Sequence, residues 1–211
     1  MLFTWFFTST FFRHYEKHSI ADNNYFIYYN EKINQENLFN LINDVNKNLD
    51  ESGFLRNKEY KFKIFICNSK FLYSFLVPLN RNGYGGANKY TDDIIVANID
   101  LERGLSHNYA DTIPLKNSIL LSHEITHVIL KENKINLRQN WIEEGYCEYV
   151  GYGSKIDIKE MLKKSSQSKY VRYVLGVDYL LKKNGNNIKK LENIDLTNEE
   201  VLEMLKKETS Q

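Results

Sequence analysis

A chain of 211 residues with 42% hydrophobic content is enough for one compact domain with a sizeable core, and not comfortably for two. Its 28 Lys+Arg against 27 Asp+Glu leave a net charge of +1, so no electrostatic footprint points to nucleic acid or to a polyacidic partner. Only two cysteines occur, Cys67 and Cys147, outside any CxxC pair; cysteine-based zinc sites and a disulfide framework are unsupported, and a single bridge between the two stays open.

The chain opens on "MLFTWFFTSTFF", residues 1–12, an apolar and threonine run followed by Arg13, His14 and Lys17. It is shorter than the roughly 20 residues that span a bilayer, and it lacks the basic lead and small-residue cleavage site of a signal peptide. Two readings stay open: the remnant of a membrane anchor, with membrane association through residues 1–12, or a packed first strand. Residues 1–19 are therefore set apart as an apolar N-terminal segment, and 20–211 are expected to form a single domain.

Beyond it "YFIYY" (25–29) reads as a strand, and 34–53 as an amphipathic helix with Leu38, Leu41, Ile42 and Val45 on one face, closed by Gly53. "YKFKIFIC" (60–67) alternates like a half-buried strand, and "KFLYSFLV" is a short helix or loop ended by Pro78. A glycine-rich turn region covers 80–93, and "IIVANI" (94–99) is a third strand. From there the pattern is helical, over about 113–132, 139–151, 158–164, 169–184 and 197–208. Strands first and helices after predict an α+β domain, with an N-terminal sheet of about three strands and a helical C-terminal half that carries the site.

Within the first of those late helices, "LLSHEITHVIL" (120–130) sets two histidines and a glutamate into an apolar run. Burying three such groups costs several kcal/mol unless a partner compensates. His123 and His127, spaced i, i+4, stack one turn apart and can reach one ion, while Glu124 is turned about 100° away and can act on water. Two satisfied core histidines are the bland alternative, and the apolar residues on every side of the motif argue against it. A catalytic zinc takes three protein ligands and one open position. The "VILKEN" that follows the motif offers no third histidine, whereas "NWIEEGYCEYVG" (140–151) offers Glu143, Glu144 and Glu148 on a helix that a turn could fold back. His14, His18 and His107 have no partner at ligand spacing and are assigned no metal.

"HEITH" followed by "WIEEGYCEY" resembles the gluzincin metallopeptidases, particularly the peptidase MA-like group, and more distantly the aminopeptidase N family and thermolysin. The resemblance covers roughly residues 90–185. It implies a zincin-like fold, one Zn²⁺ held by His123, His127 and Glu144, and peptide-bond hydrolysis with Glu124 as general base. The sixteen residues between His127 and Glu144 (128–143) are slightly fewer than is usual in the aminopeptidases, which implies a tighter turn. Glu148, one turn beyond Glu144, is either a histidine-orienting acceptor or exposed; Glu143 is read as exposed.

The resemblance also implies that the strand before the motif helix is the sheet edge that holds substrate backbone in extended form. An oxyanion-stabilising tyrosine is expected at the start of a helix that runs about fifteen residues to a closing glycine. Tyr170, fifteen residues before Gly185, fits that place, with Tyr173 as runner-up. The aminopeptidases carry a G-x-M-E-N stretch whose glutamate binds the free amine; "GGANKY" (85–90) has no acid there, which favours an endopeptidase acting on proteins or peptides. A catalytically silent zinc-binding scaffold or peptide-binding domain of the same fold is the alternative, and a toxin-like module on it is not distinguished by composition.

Overall fold

The computed structural model describes residues 15–20, 24–29, 31–52, 60–88, 91–109, 114–153, 157–164 and 168–209. The apolar run 1–12 and His14 lie outside them. Among the described residues no helix is long and apolar enough to cross a membrane.

Alternation builds the first crossover. In β2 (Tyr25–Tyr29) the buried residues are Tyr25, Ile27 and Tyr29, every second side chain facing one layer. α1 (Gln35–Glu51) starts where the Asn34 side chain accepts the backbone N–H groups of Glu36 and Asn37, and it buries Leu38, Leu41, Ile42, Val45 and Leu49 along one stripe. β3 (Phe62–Cys67) then returns parallel to β2, with Ile27 opposite Ile64. α2 (Lys70–Leu76) crosses to β4 (Gly85–Ala87), which turns back antiparallel onto β5 (Asp93–Ala97). With β1 (Glu16–Ile20) antiparallel to β2, the five-stranded sheet has the order β1-β2-β3-β5-β4.

The sheet exceeds the three strands expected, and both additions are edges. β1 is charged and largely exposed, so it shows no core alternation, and the boundary drawn between residues 19 and 20 falls inside a paired strand. β5, the strand expected to be the sheet edge, lies between β3 and β4; the edge is β4. A second small sheet, β6 (Ile99–Asp100), β7 (Leu105–Ser106) and β8 (Leu115–Lys116), leads into the motif helix, which for that reason begins at 117 and not near 113.

Among the described residues five α-helices follow: α3 (Asn117–Glu132), α4 (Asn140–Tyr152), α5 (Ile158–Lys164), α6 (Lys169–Lys183) and α7 (Asn198–Thr209). The main core lies between one sheet face and α1, α3, α4, α6 and α7, joining Leu38, Ile64, Ile94, Leu121, Ile125, Ile142, Val177 and Val201. On the opposite sheet face Phe65, Cys67, Ile95 and Ala97 pack under α2 with Tyr73. Cys67 and Cys147 thus belong to separate clusters, and both are free thiols.

Candidate metal centre

Both ends of α3 are pinned before its histidines are placed. At the start, the Asn117 side chain donates to the carbonyl of Asp100 (2.9 Å) and accepts the Ser106 hydroxyl (2.6 Å). At the end, Asn133 and Ile135 donate to the carbonyls of Ile129 and Leu130, and Lys134 takes a left-handed φ of 55°. That reversal sends α4 back along α3. The Asn48 side chain of α1 ties the pair together by donating to the carbonyl of Gly151 at 2.9 Å and to Ser122 Oγ at 3.3 Å.

Antiparallel packing sets three acids of α4 against the two imidazoles of α3. His123 Nε2 and His127 Nε2 stand 3.2 Å apart. Glu144 offers one oxygen 3.6 Å from His123 Nε2 and the other 3.8 Å from His127 Nε2. Behind the rings, Glu148 Oε1 lies 3.4 Å from His123 Nδ1 and Glu143 Oε1 3.0 Å from His127 Nδ1. A carboxylate accepts the Nδ1–H, which leaves a lone pair on each Nε2. Two lone pairs converging with a carboxylate repel one another unless a cation is shared among them. A four-coordinate zinc with bonds of about 2.0–2.2 Å holds its donors about 3.3–3.5 Å apart, so this donor set fits one ion with small adjustments.

Cys147 is the residue sequence reasoning missed. Its thiol, fully buried on α4, groups with His123 and His127 with ligand atoms within 4.8 Å of one another. Burial first, then the carboxylates of Glu144, Glu143, Glu124 and Glu148, push its pKa well above the ordinary thiol value. Those effects disfavour a thiolate, and Cys147 does not line the cleft, whereas Glu144 does. The helical spacing of Glu144 and Cys147 was the available signal.

Glu124 sits under β4, only 6% exposed, with its carboxylate accepting the backbone N–H of Ala87. Burial raises its pKa, and the two imidazoles partly oppose that rise. The carboxylate faces a cleft of about 1030 Å³ that runs between α3 below and β4 above, and His123, His127, Glu144 and Tyr170 also line it.

Tyr170 stands in the first turn of α6, and burial followed by the charges of Glu144 and Glu148 raises its pKa. The approach of α6 depends on Gly145, where a Cβ would meet the carbonyl oxygen of Tyr173 at 2.6 Å. Tyr173 packs against Trp141, with ring centroids 6.4 Å apart, and does not line the cleft; Tyr84 and Tyr152 do. His18 pairs with Gln35 at 2.9 Å and His107 follows β7, and neither lines the cleft.

Compared with known protein families the chain matches none, and no curated protein matches it either.

Proposed function

We propose that the chain is a zinc-dependent peptide-bond hydrolase of the gluzincin type with a zincin-like fold. The observation that carries this reading is the meeting of His123, His127 and Glu144 on one side of the imidazoles while Glu143 and Glu148 hold the other, with Glu124 beside them in the same cleft. One Zn²⁺ would be held by His123, His127 and Glu144. When bound it supplies Lewis acidity, lowering the pKa of a water to about 7 and polarising a scissile carbonyl.

The chain's own groups do the rest. Glu124 is the acceptor of the proton released by the attacking water and its donor to the leaving amine. The O–H of Tyr170 donates to the oxygen of the attacked carbonyl as negative charge builds there. Substrate class follows from the edge strand. Tyr84 and Asn88 bond to β5, and alternation turns the polar groups of Gly85 and Ala87 the other way; the Gly85 carbonyl is taken by Tyr73 and Asn80, which leaves the Gly85 N–H and the Ala87 C=O for a further strand. An extended peptide can add to that edge, which favours proteins or peptides over sugars or nucleotides.

The test is metal content of the purified protein, combined with cleavage of a fluorogenic peptide library by the parent and by Glu124→Gln. The expected result is one zinc per chain in both, with the variant slower by about 10²- to 10⁴-fold. A parent that holds zinc stoichiometrically yet cleaves nothing would instead support the metal-dependent peptide-binding domain. A protein without metal would remove the reading altogether.

A further inference from the structure

β4 is three residues long, and two of them are glycine, yet it is held from both sides. The carbonyl oxygen of Gly85 accepts the buried Tyr73 hydroxyl at 3.2 Å and the Asn80 amide at 3.0 Å. Ala87, two residues on, donates its N–H to the Glu124 carboxylate. At Gly85 a Cβ would lie 2.9 Å from Glu124 Oε1, 3.2 Å from Glu124 Cγ and 3.2 Å from Val96 Cγ1, so the bare backbone is what lets strand and carboxylate approach. Tyr73 itself is fully buried and absent from the cleft lining.

We infer that β4, pinned by Tyr73 and Asn80, is the element that positions the Glu124 carboxylate, and that Tyr73 is a positioning residue acting through Gly85 and Ala87 without touching substrate. The inference rests on the reading of Glu124 as the base. Its physical ground is that Gly85 approaches the Glu124 carboxylate so closely that a Cβ there would lie 2.9 Å from Oε1, and that Gly85 belongs to a strand with only three residues of pairing to β5. A strand so short holds its height through side chains, and the buried hydroxyl of Tyr73 provides one of the two contacts that set it. A shift of about 1 Å in a reacting group can cost 10²-fold in rate, so small movements of β4 should register in turnover.

The experiment combines kinetics on the fluorogenic peptide library with crystal structures of Gly85→Ala and Tyr73→Phe. We expect Tyr73→Phe to keep zinc and KM while kcat falls about tenfold, and Gly85→Ala to fall about a hundredfold. Added to Glu124→Gln, Tyr73→Phe should cause no further loss, because its effect passes through the same carboxylate. In the Gly85→Ala crystal the carboxylate should have left the Ala87 N–H. A carboxylate still on Ala87 in that crystal, or an equal tenfold loss from Tyr73→Phe in the Glu124→Gln background, overturns the inference. If the parent cleaves nothing, the hydrolase reading fails, while the crystal of Gly85→Ala still decides whether β4 places this side chain.

Discussion

Glu143 and His127, sixteen positions apart in sequence, meet at 3.0 Å between Oε1 and Nδ1 across the α3–α4 interface. The contact turns the Nε2 of His127 toward His123 and Glu144. Outer partners of this kind typically contribute 10- to 100-fold to metal affinity. Glu143→Ala should therefore weaken zinc binding by about that factor in a competition titration with a chromogenic chelator, with Glu148→Ala acting alike on His123. Zinc affinity unchanged in both variants would mean that the imidazoles are oriented by packing alone.

Glu144 and Cys147 compete for the role of third ligand, and substitution separates them. Glu144→Ala should lose stoichiometric zinc while Cys147→Ser retains it, as read by elemental analysis of dialysed protein. The reverse pattern would assign the centre to two histidines and the buried thiol.

Those two residues also mark where sequence reading works and where it stops. The i, i+4 histidines were legible because helical geometry alone puts them on one face; the turn expected at 132–139 brought back three acids, Glu143, Glu144 and Glu148, and only the resemblance singled out Glu144. Glu143 was read as exposed because one helix seen alone has no neighbour; only the antiparallel crossing of α3 and α4 gives it His127. β4 was hidden for a related reason. Gly85, Gly86 and Ala87 have little strand propensity, and their pairing depends on β5 and on the Tyr73 and Asn80 side chains. β1 shows Glu16, Lys17 and His18 to solvent or partly so, as edge strands do, and its charges masked it. Of the fold, the central strands and late helices were readable within a few residues, because each carries its own period.

The metal-free protein should show a pH-dependent stability that the centre explains. Burial pulls the pKa of His123 down, but Glu148 foremost, with Glu124 and Glu144, outweighs it and holds it up at about 9 against an ordinary 6.5. A folded-state pKa raised in this way gives stabilisation that is complete below pH 6.5 and lost as pH climbs through about 9. The Tm of chelator-treated protein should fall across that window, and His123→Gln should flatten the fall. With zinc bound the imidazole must be neutral, so the trend should diminish or reverse. An equal slope in His123→Gln would place the titration elsewhere.

Truncation tests the N-terminal boundary. β1 pairs with β2 over five residues, and Tyr15 before it packs on the Phe65 and Cys67 side of the sheet. A chain beginning at Ile20 loses that strand and exposes the β2 edge, so its Tm should drop by roughly 4 to 8 °C, the equivalent of about 2 kcal/mol. A chain beginning at Tyr15 keeps the strand and should melt close to the full chain if residues 1–12 act as an anchor remnant. A fall as large in the chain beginning at Tyr15 would make Phe3, Trp5 and Phe6 part of the core.

Tyr170 lines the cleft, and under the proposed hydrolase reading it is the donor to charge developing on an attacked carbonyl; its rivals are now specific. Tyr173, the runner-up, is turned toward Trp141 and makes an edge contact with Tyr170, with ring centroids 6.2 Å apart. Tyr152 shares the cleft, but burial pushes its phenol up to about 12, and it stands at the end of α4 beyond Glu148. At 41% exposure Tyr170 can swing into the cleft with little loss of packing. Removing one such donor typically costs about 10²- to 10³-fold in kcat. Tyr170→Phe keeps the ring and should show that loss with KM nearly constant, the signature of a contact made only in the transition state. Tyr173→Phe should lower Tm slightly and leave kcat near the parent. If Tyr152→Phe carries the kcat loss and Tyr170→Phe none, the donor comes from the end of α4, on the same helix as Glu144.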